Sequence, residues 1–169
     1  MAQVLLKGKP VNTTGNLPKM GSKAPNFELV DADLKVKQLS DFAGKKKVLS
    51  FVPSLDTPTC SLSAKKFNEA ANNFKNTVVL VISADLPFAQ KRFCGAENLK
   101  NVMTLSLMRS KKSAEDYGVL LSDGPLTGLC TRAIVVLDES DNVIYTELVA
   151  EITQEPNYDP VIKLLRDCL

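Results

Sequence analysis

Cys60 closes the stretch Pro53-Ser54-Leu55-Asp56-Thr57-Pro58-Thr59-Cys60, and its setting suits thiol chemistry. The apolar run Val48-Leu49-Ser50-Phe51-Val52 before the stretch reads as a buried strand. After it, Phe67, Ala70, Ala71 and Phe74 recur at helical spacing. A strand therefore ends, a proline-rich turn follows, and a helix begins at Cys60 and runs from Ser61 to about Asn73. Helix starts leave backbone N–H groups unpaired and carry partial positive charge. A thiol placed there loses its proton more easily, and the thiolate is the reactive form. A small buried hydrophobe is the competing role for any single cysteine.

The remaining composition narrows that chemistry by exclusion. The chain has four cysteines, Cys60, Cys94, Cys130 and Cys168, and no histidine. The cysteines are too widely spaced for a paired metal-ligand motif, so no metal or other cofactor is expected. Without histidine, Cys-His proteases and Ser-His-Asp hydrolases are excluded. Something other than imidazole must activate a nucleophilic cysteine here.

The 169 residues suit a single domain spanning 1–169, long enough to bury a core without disulfide staples. A net charge of +2 argues for neither nucleic acid nor a membrane surface as partner, and the Lys45-Lys46-Lys47 run reads as a solvated turn before a strand. The apolar run at the N-terminus is too short for a signal peptide, and no stretch approaches the length of a membrane span. A cytoplasmic location is expected, where thiols stay reduced unless they take part in transient redox chemistry.

The elements that must position Cys60 follow from the patterning. Val4-Leu5-Leu6 and Pro10-Val11-Asn12-Thr13 flank a glycine turn and predict an N-terminal hairpin. Asn26 to Val30 alternates as a half-buried strand does, and Ser40 to Gly44 reads as a short helical turn. Thr77 to Ser83 is rich in β-branched residues and apolar on both faces, the pattern of a parallel strand buried on both sides. Pro87 opens a short helix that carries Cys94 at its end and is stopped by Gly95. Val102 to Leu107 is a strand, and Ser113 to Tyr117 a short helix capped by Ser113. Arg132 to Asp138 and Val143 to Leu148 form an antiparallel hairpin, and a C-terminal helix places Val161, Leu164 and Leu165 on one face. The alternation predicts an α/β fold, a mixed sheet flanked by helices.

The Pro53, Thr57, Cys60 spacing resembles the active-site motif of peroxiredoxins. Leu86 to Cys94 and Thr131 to Asp138 resemble the corresponding stretches of the bacterial thiol peroxidase subfamily, as do the N-terminal hairpin and Val149-Ala150-Glu151-Ile152-Thr153. The resemblance covers essentially the whole chain and implies a thioredoxin-like fold. It implies that Cys60 is peroxidatic, attacking the terminal oxygen of a hydroperoxide and becoming a sulfenic acid. An unperturbed thiol, with a pKa of about 8.5, is only a few per cent ionised at pH 7. Arg132 matches the subfamily's active-site arginine, whose permanent charge and fork of donors would favour the anion. Thr57 would bond the peroxide oxygens through its hydroxyl, and Pro53 would shield the sulfur. Cys94 matches the resolving cysteine, which would close an intramolecular Cys60–Cys94 disulfide, to be reduced by thioredoxin. Disulfide geometry requires Cα atoms about 4.4–6.8 Å apart. Cysteines on separate helices are expected to lie farther apart when reduced, so that both helix ends unwind in each cycle.

A homodimer and a role in antioxidant defence are also implied. Phe51, Phe88 and Phe93 either line a pocket for organic hydroperoxides or belong to the core. The resemblance assigns Cys130 and Cys168 no role, although Cys130 stands two residues before Arg132 and shares its face if the strand extends that far. Two other readings remain: a thiol–disulfide oxidoreductase without peroxidase activity, which would need a second cysteine near Cys60 where Thr57 stands, and a structural protein with a vestigial site.

Overall fold

The β-branched run at 77–83 forms the centre of a mixed sheet. In the computed structural model, which describes residues 1–166, it is strand β6 (Thr77–Ser83). Parallel neighbours β5 (Lys46–Phe51) and β7 (Met103–Ser106) flank it. Beyond β5 lie β8 (Ala133–Leu137) and β9 (Val143–Leu148), each antiparallel to its neighbour. Beyond β7 lie two short strands, β3 (Leu29–Val30) and β4 (Val36–Lys37), which complete the order β4-β3-β7-β6-β5-β8-β9. The hairpin β1 (Gln3–Leu6) and β2 (Lys9–Asn12) stands apart as a second sheet.

Strand alternation sorts the side chains into two apolar layers. Leu49 and Phe51 of β5, Leu80 and Ile82 of β6, and Ala133, Val135 and Leu137 of β8 pack with Phe27, Phe42 and Tyr117 on one face. On the other face, Val48, Val79, Ile134 and Val136 meet Phe67 of α1 (Pro58–Ala71) and Val161 and Leu165 of α4 (Tyr158–Arg166). Val52, Val81 and Cys60 continue that second layer toward α2 (Pro87–Ala96). The crossovers β5–α1–β6 and β6–α2–β7 thus bring the ends of both cysteine-bearing helices to one side of the sheet.

Several elements differ in extent from the sequence expectation. Only Leu29–Val30 of the 26–30 stretch pairs as strand, and both residues are buried. Helix α1 begins at Pro58, two residues before Cys60, because Pro58 fits the first helical position and Thr57 caps it. Gly95 does not stop α2; it lies inside the helix, and Asn98 takes the left-handed conformation (φ 54°) just beyond. Ser113 lies inside α3 (Lys112–Asp116) rather than capping it, and its hydroxyl accepts from the Glu28 amide. Of the lysine run only Lys45 lies exposed in the turn before the strand. Lys46 and Lys47 belong to β5, and Lys47 is fully buried with its ammonium on the Asp141 carboxylate, at the turn between β8 and β9.

Gly118 marks the tightest approach of backbone to backbone. Its φ is +69°, and a Cβ there would lie 2.1 Å from the Asn16 carbonyl oxygen. Gly118→Ala is expected to cost about 4 kcal/mol or more, since strained φ and a backbone clash add. Urea unfolding checks this, and a midpoint within error of the parent would contradict it.

Candidate active site

The chain between β5 and α1 is folded on itself by its own polar groups. Ser54 carbonyl oxygen accepts from both the amide and the hydroxyl of Thr57, the latter at 3.1 Å. Thr57 Oγ1 in turn accepts from the Cys60 amide at 3.4 Å, as an N-cap does. This places Cys60 in the first turn of α1, with its side chain among Val52, Leu55, Ala64 and Val81.

Arg132 comes from the opposite direction, one residue before β8 and on the same face as Ile134. Its Nε donates to the Ile152 carbonyl at 3.0 Å, and its Nη2 donates to Cys60 Sγ at 3.2 Å. The residue is 2% exposed, and its Nη1 is buried with no hydrogen-bond partner among the described residues. An orphaned donor on a buried guanidinium is costly unless something comes to occupy it.

A cavity of about 210 Å³ opens over this guanidinium. Ser54, Thr57 and Arg132 form its polar end, with Pro53 beside them, and Leu6, Leu126, Leu129 and Ile152 its apolar wall. Cys60 is itself fully buried beneath that floor. Cys94, half-buried on α2, borders the same apolar cluster from the side and opens on a separate groove beside Asp31, Lys91 and Thr104. Burial pushes its thiol pKa up, with a hydrogen bond from Thr104 opposing. Cys60, Cys94 and Cys130 are all free thiols.

The chain matches the Redoxin family model over residues 19–162. It is 51% identical over 165 residues to a thiol peroxidase of Mycobacterium bovis, covering 98% of this chain and 99% of that protein. The chain belongs to the redoxin family, among its thiol peroxidases. Solved structures agree: a peroxiredoxin-like protein from Aquifex aeolicus superposes with a TM-score of 0.94 at 42% identity, covering 100% of this chain and 98% of that one. A thiol peroxidase from Chromobacterium violaceum gives 0.91 at 26% identity, covering 98% and 96%. The thioredoxin-like mixed sheet with its N-terminal hairpin is the architecture of these enzymes.

Within this thiol peroxidase, the remaining cysteines separate clearly. Cys130 does not share Arg132's face. The strand begins only at Ala133, its alternation reaches back to Arg132 and no further, and Cys130 falls into the layer on the far side of the sheet. Burial pushes its thiol pKa up to about 12, with the Lys111 ammonium opposing, which leaves it an inert thiol near neutrality. Cys168 lies outside the described residues. The phenylalanines do not line the cavity. Phe51 belongs to the opposite layer, Phe93 packs beside Cys94, and Phe88 is exposed. The peroxidase instead builds its apolar wall from the hairpin, the 121–129 stretch and the 149–153 segment. These are distant in sequence, and only their fold-back brings them together. Among the described residues, no cluster of histidine, cysteine or carboxylate side chains could hold a metal ion, and no helix is long and apolar enough to cross a membrane.

Glu151 holds one side of that wall in place. Its carboxylate accepts from the Gly8 amide at 3.0 Å and the Lys7 amide at 2.9 Å, tying the hairpin turn to the segment that carries Ile152. These bonds, Gly8 first, hold its pKa down at about 2. A carboxylate depressed on folding contributes stability above its unfolded pKa and loses it as pH falls through the folded value. The hairpin anchor is therefore expected to be intact above about pH 4.5 and to release progressively between there and pH 2. Amide exchange at Lys7 and Gly8, followed by NMR across that range, checks the window; protection unchanged at pH 2 would contradict it.

Proposed function

We propose that the enzyme reduces hydrogen peroxide and organic hydroperoxides at Cys60, resolves the product with Cys94 and is recycled by thioredoxin. The observation that carries this reading is the guanidinium of Arg132, buried, with one donor on Cys60 Sγ and another that meets no partner among the described residues. A thiolate at Sγ receives a charge-assisted bond from Nη2. Nη1 is then available to donate to a peroxide oxygen, and the Thr57 hydroxyl, which donates to the Ser54 carbonyl, keeps a lone pair to accept from the peroxide O–H.

Sγ attacks the terminal oxygen, the O–O bond breaks, and the departing oxygen takes a proton and leaves as water or an alcohol. Cys60 is left as sulfenic acid. The sulfur is covered at rest, so the peroxide reaches it through a side-chain displacement at the cavity floor. The four apolar side chains of the wall favour an organic substituent over bare hydrogen peroxide.

Cys94 then attacks the sulfenic sulfur, forming the Cys60–Cys94 disulfide and releasing water. Both partners stand on intact helices, so the bond forms with local unwinding at the ends of α1 and α2. No Cys-x-x-Cys pair exists in the chain to reverse it, and an external dithiol must do so by exchange. Thioredoxin fits that role in the cytoplasm, where the enzyme would serve antioxidant defence. A homodimer fits the exposed apolar pair Leu86 and Phe88 at the start of α2.

The test is peroxide consumption coupled to thioredoxin and its reductase. Sustained turnover is expected, faster with cumene hydroperoxide than with hydrogen peroxide, and none in Cys60→Ser. Turnover persisting in that variant would overturn it. The geometry disfavours a thiol–disulfide oxidoreductase: the residue three before Cys60 is the capping Thr57, not a second thiol.

A further inference from the structure

Asp85 stands between the two cysteine-bearing helices and belongs to neither. It follows β6 and precedes Leu86, the cap of α2. Its carboxylate accepts three hydrogen bonds: from the Ser54 hydroxyl at 2.7 Å, the Leu55 amide at 2.8 Å and the Ser83 hydroxyl at 2.7 Å. Its own carbonyl accepts from the Ser106 hydroxyl at 2.5 Å, which pins it to β7.

The network extends to both redox centres. Toward Cys60, the clamped Ser54 holds Thr57 through its carbonyl, and Thr57 caps the Cys60 amide. Toward Cys94, Gln90 of α2 is fully buried and donates to the Ser83 hydroxyl at 3.1 Å and the Leu105 carbonyl at 3.0 Å, one turn before the cysteine. Bonds to an ionised acceptor are the strong ones in such a chain. A single carboxylate therefore ties the loop that must give way for disulfide formation to the root of the helix that must meet it.

We propose that Asp85 is a positioning residue that latches the Cys60 loop in its peroxide-ready form, and that its bonds to Ser54 and Leu55 are the ones broken when Cys60 and Cys94 join. This rests on the cysteine pairing proposed above. In the joining step the Cys94 sulfur displaces the hydroxyl from the Cys60 sulfenic acid, and that hydroxyl leaves as water with the Cys94 proton. The latched loop orients Thr57 for the first step and resists the second, so removing the latch moves the two steps in opposite directions. A residue that merely supports the fold would slow both.

Two rates read this out. In a Cys94→Ser background, Asp85→Ala is expected to slow single-turnover oxidation by tert-butyl hydroperoxide about tenfold, because Thr57 is no longer held. With all cysteines present, conversion of the Cys60 sulfenic acid to the disulfide, followed by acid quench and mass analysis, is expected to accelerate about fivefold as loop opening becomes easier. Asp85→Asn, which keeps one acceptor oxygen, should fall between. Ser54→Ala removes a single donor and serves if Asp85→Ala does not fold. Unchanged oxidation, or both rates falling together, would overturn the latch. If the unmodified chain formed no Cys60–Cys94 disulfide on oxidation, the pairing itself would fail, and with it the second half of the proposal, while the oxidation arm would still read the first.

Discussion

Arg132→Met is expected to lower kcat/KM for hydroperoxides about 100- to 1,000-fold, the usual loss when a preorganised donor to developing charge is removed. Two donors disappear at once: Nη2, which bonds Cys60 Sγ at 3.2 Å, and the unpartnered Nη1. Methionine fills much of the same space without charge. A buried guanidinium with an unmet donor is weak support for stability, and its replacement by an apolar side chain of similar size is often neutral or better. The loss of a donor to the Ile152 carbonyl opposes this, so the unfolding free energy should stay within about 1 kcal/mol of the parent. Arg132→Lys keeps the charge but not the fork, and should recover only part of the rate. Stopped-flow oxidation and urea unfolding on the same three proteins check both halves. A large stability loss that tracked the activity loss would show Arg132 to be a structural residue.

Cys94→Ser is expected to leave the first equivalent of hydroperoxide reduced at close to the parent rate, while thioredoxin-linked turnover falls more than about 100-fold. Cys94 touches the cluster around Cys60 only at its border, and burial holds its thiol protonated more firmly than usual, so it contributes little to the first step. Without it the sulfenic acid persists, and excess peroxide carries Cys60 on to the sulfinic acid. Intact-mass measurement under rising peroxide checks this. Undiminished turnover in the variant would move the resolving role to another thiol or to the reductant itself.

Much of this candidate site is legible in the sequence. The Pro58 after Thr57 is a helix-start signal, and reading it strictly would have moved the start of α1 from Cys60 to Pro58 and made Thr57 the cap. The central strands were plain because 48–52 and 77–83 are apolar at consecutive positions, as strands covered on both faces must be. Gly95 misled because glycine past a helix is a good stop only where the chain turns left-handed, and here Asn98 makes that turn. Lys47 misled because a charged run usually means solvent; its partner Asp141 lies across the sheet, beyond the reach of local patterning. The face of Cys130 depended on a break in alternation that residue types do not encode. The cavity wall is hidden for the same reason, since Leu6, Leu126, Leu129 and Ile152 meet only through the fold. Sequence spacing reveals groups that act through a helix start or a strand; it is blind to groups assembled across the molecule, and Asp85 is the clearest of these.

The central claim is that one sulfur, Cys60, receives the peroxide oxygen. The most direct measurement uses the Cys94→Ser protein, treated with one equivalent of hydroperoxide in the presence of dimedone, then digested and mapped by mass. The dimedone adduct should appear on the peptide containing Cys60 and on no other, and should vanish in the Cys60→Ser, Cys94→Ser double variant. An adduct on Cys130 or Cys168, or none at all while peroxide is consumed, would contradict the account.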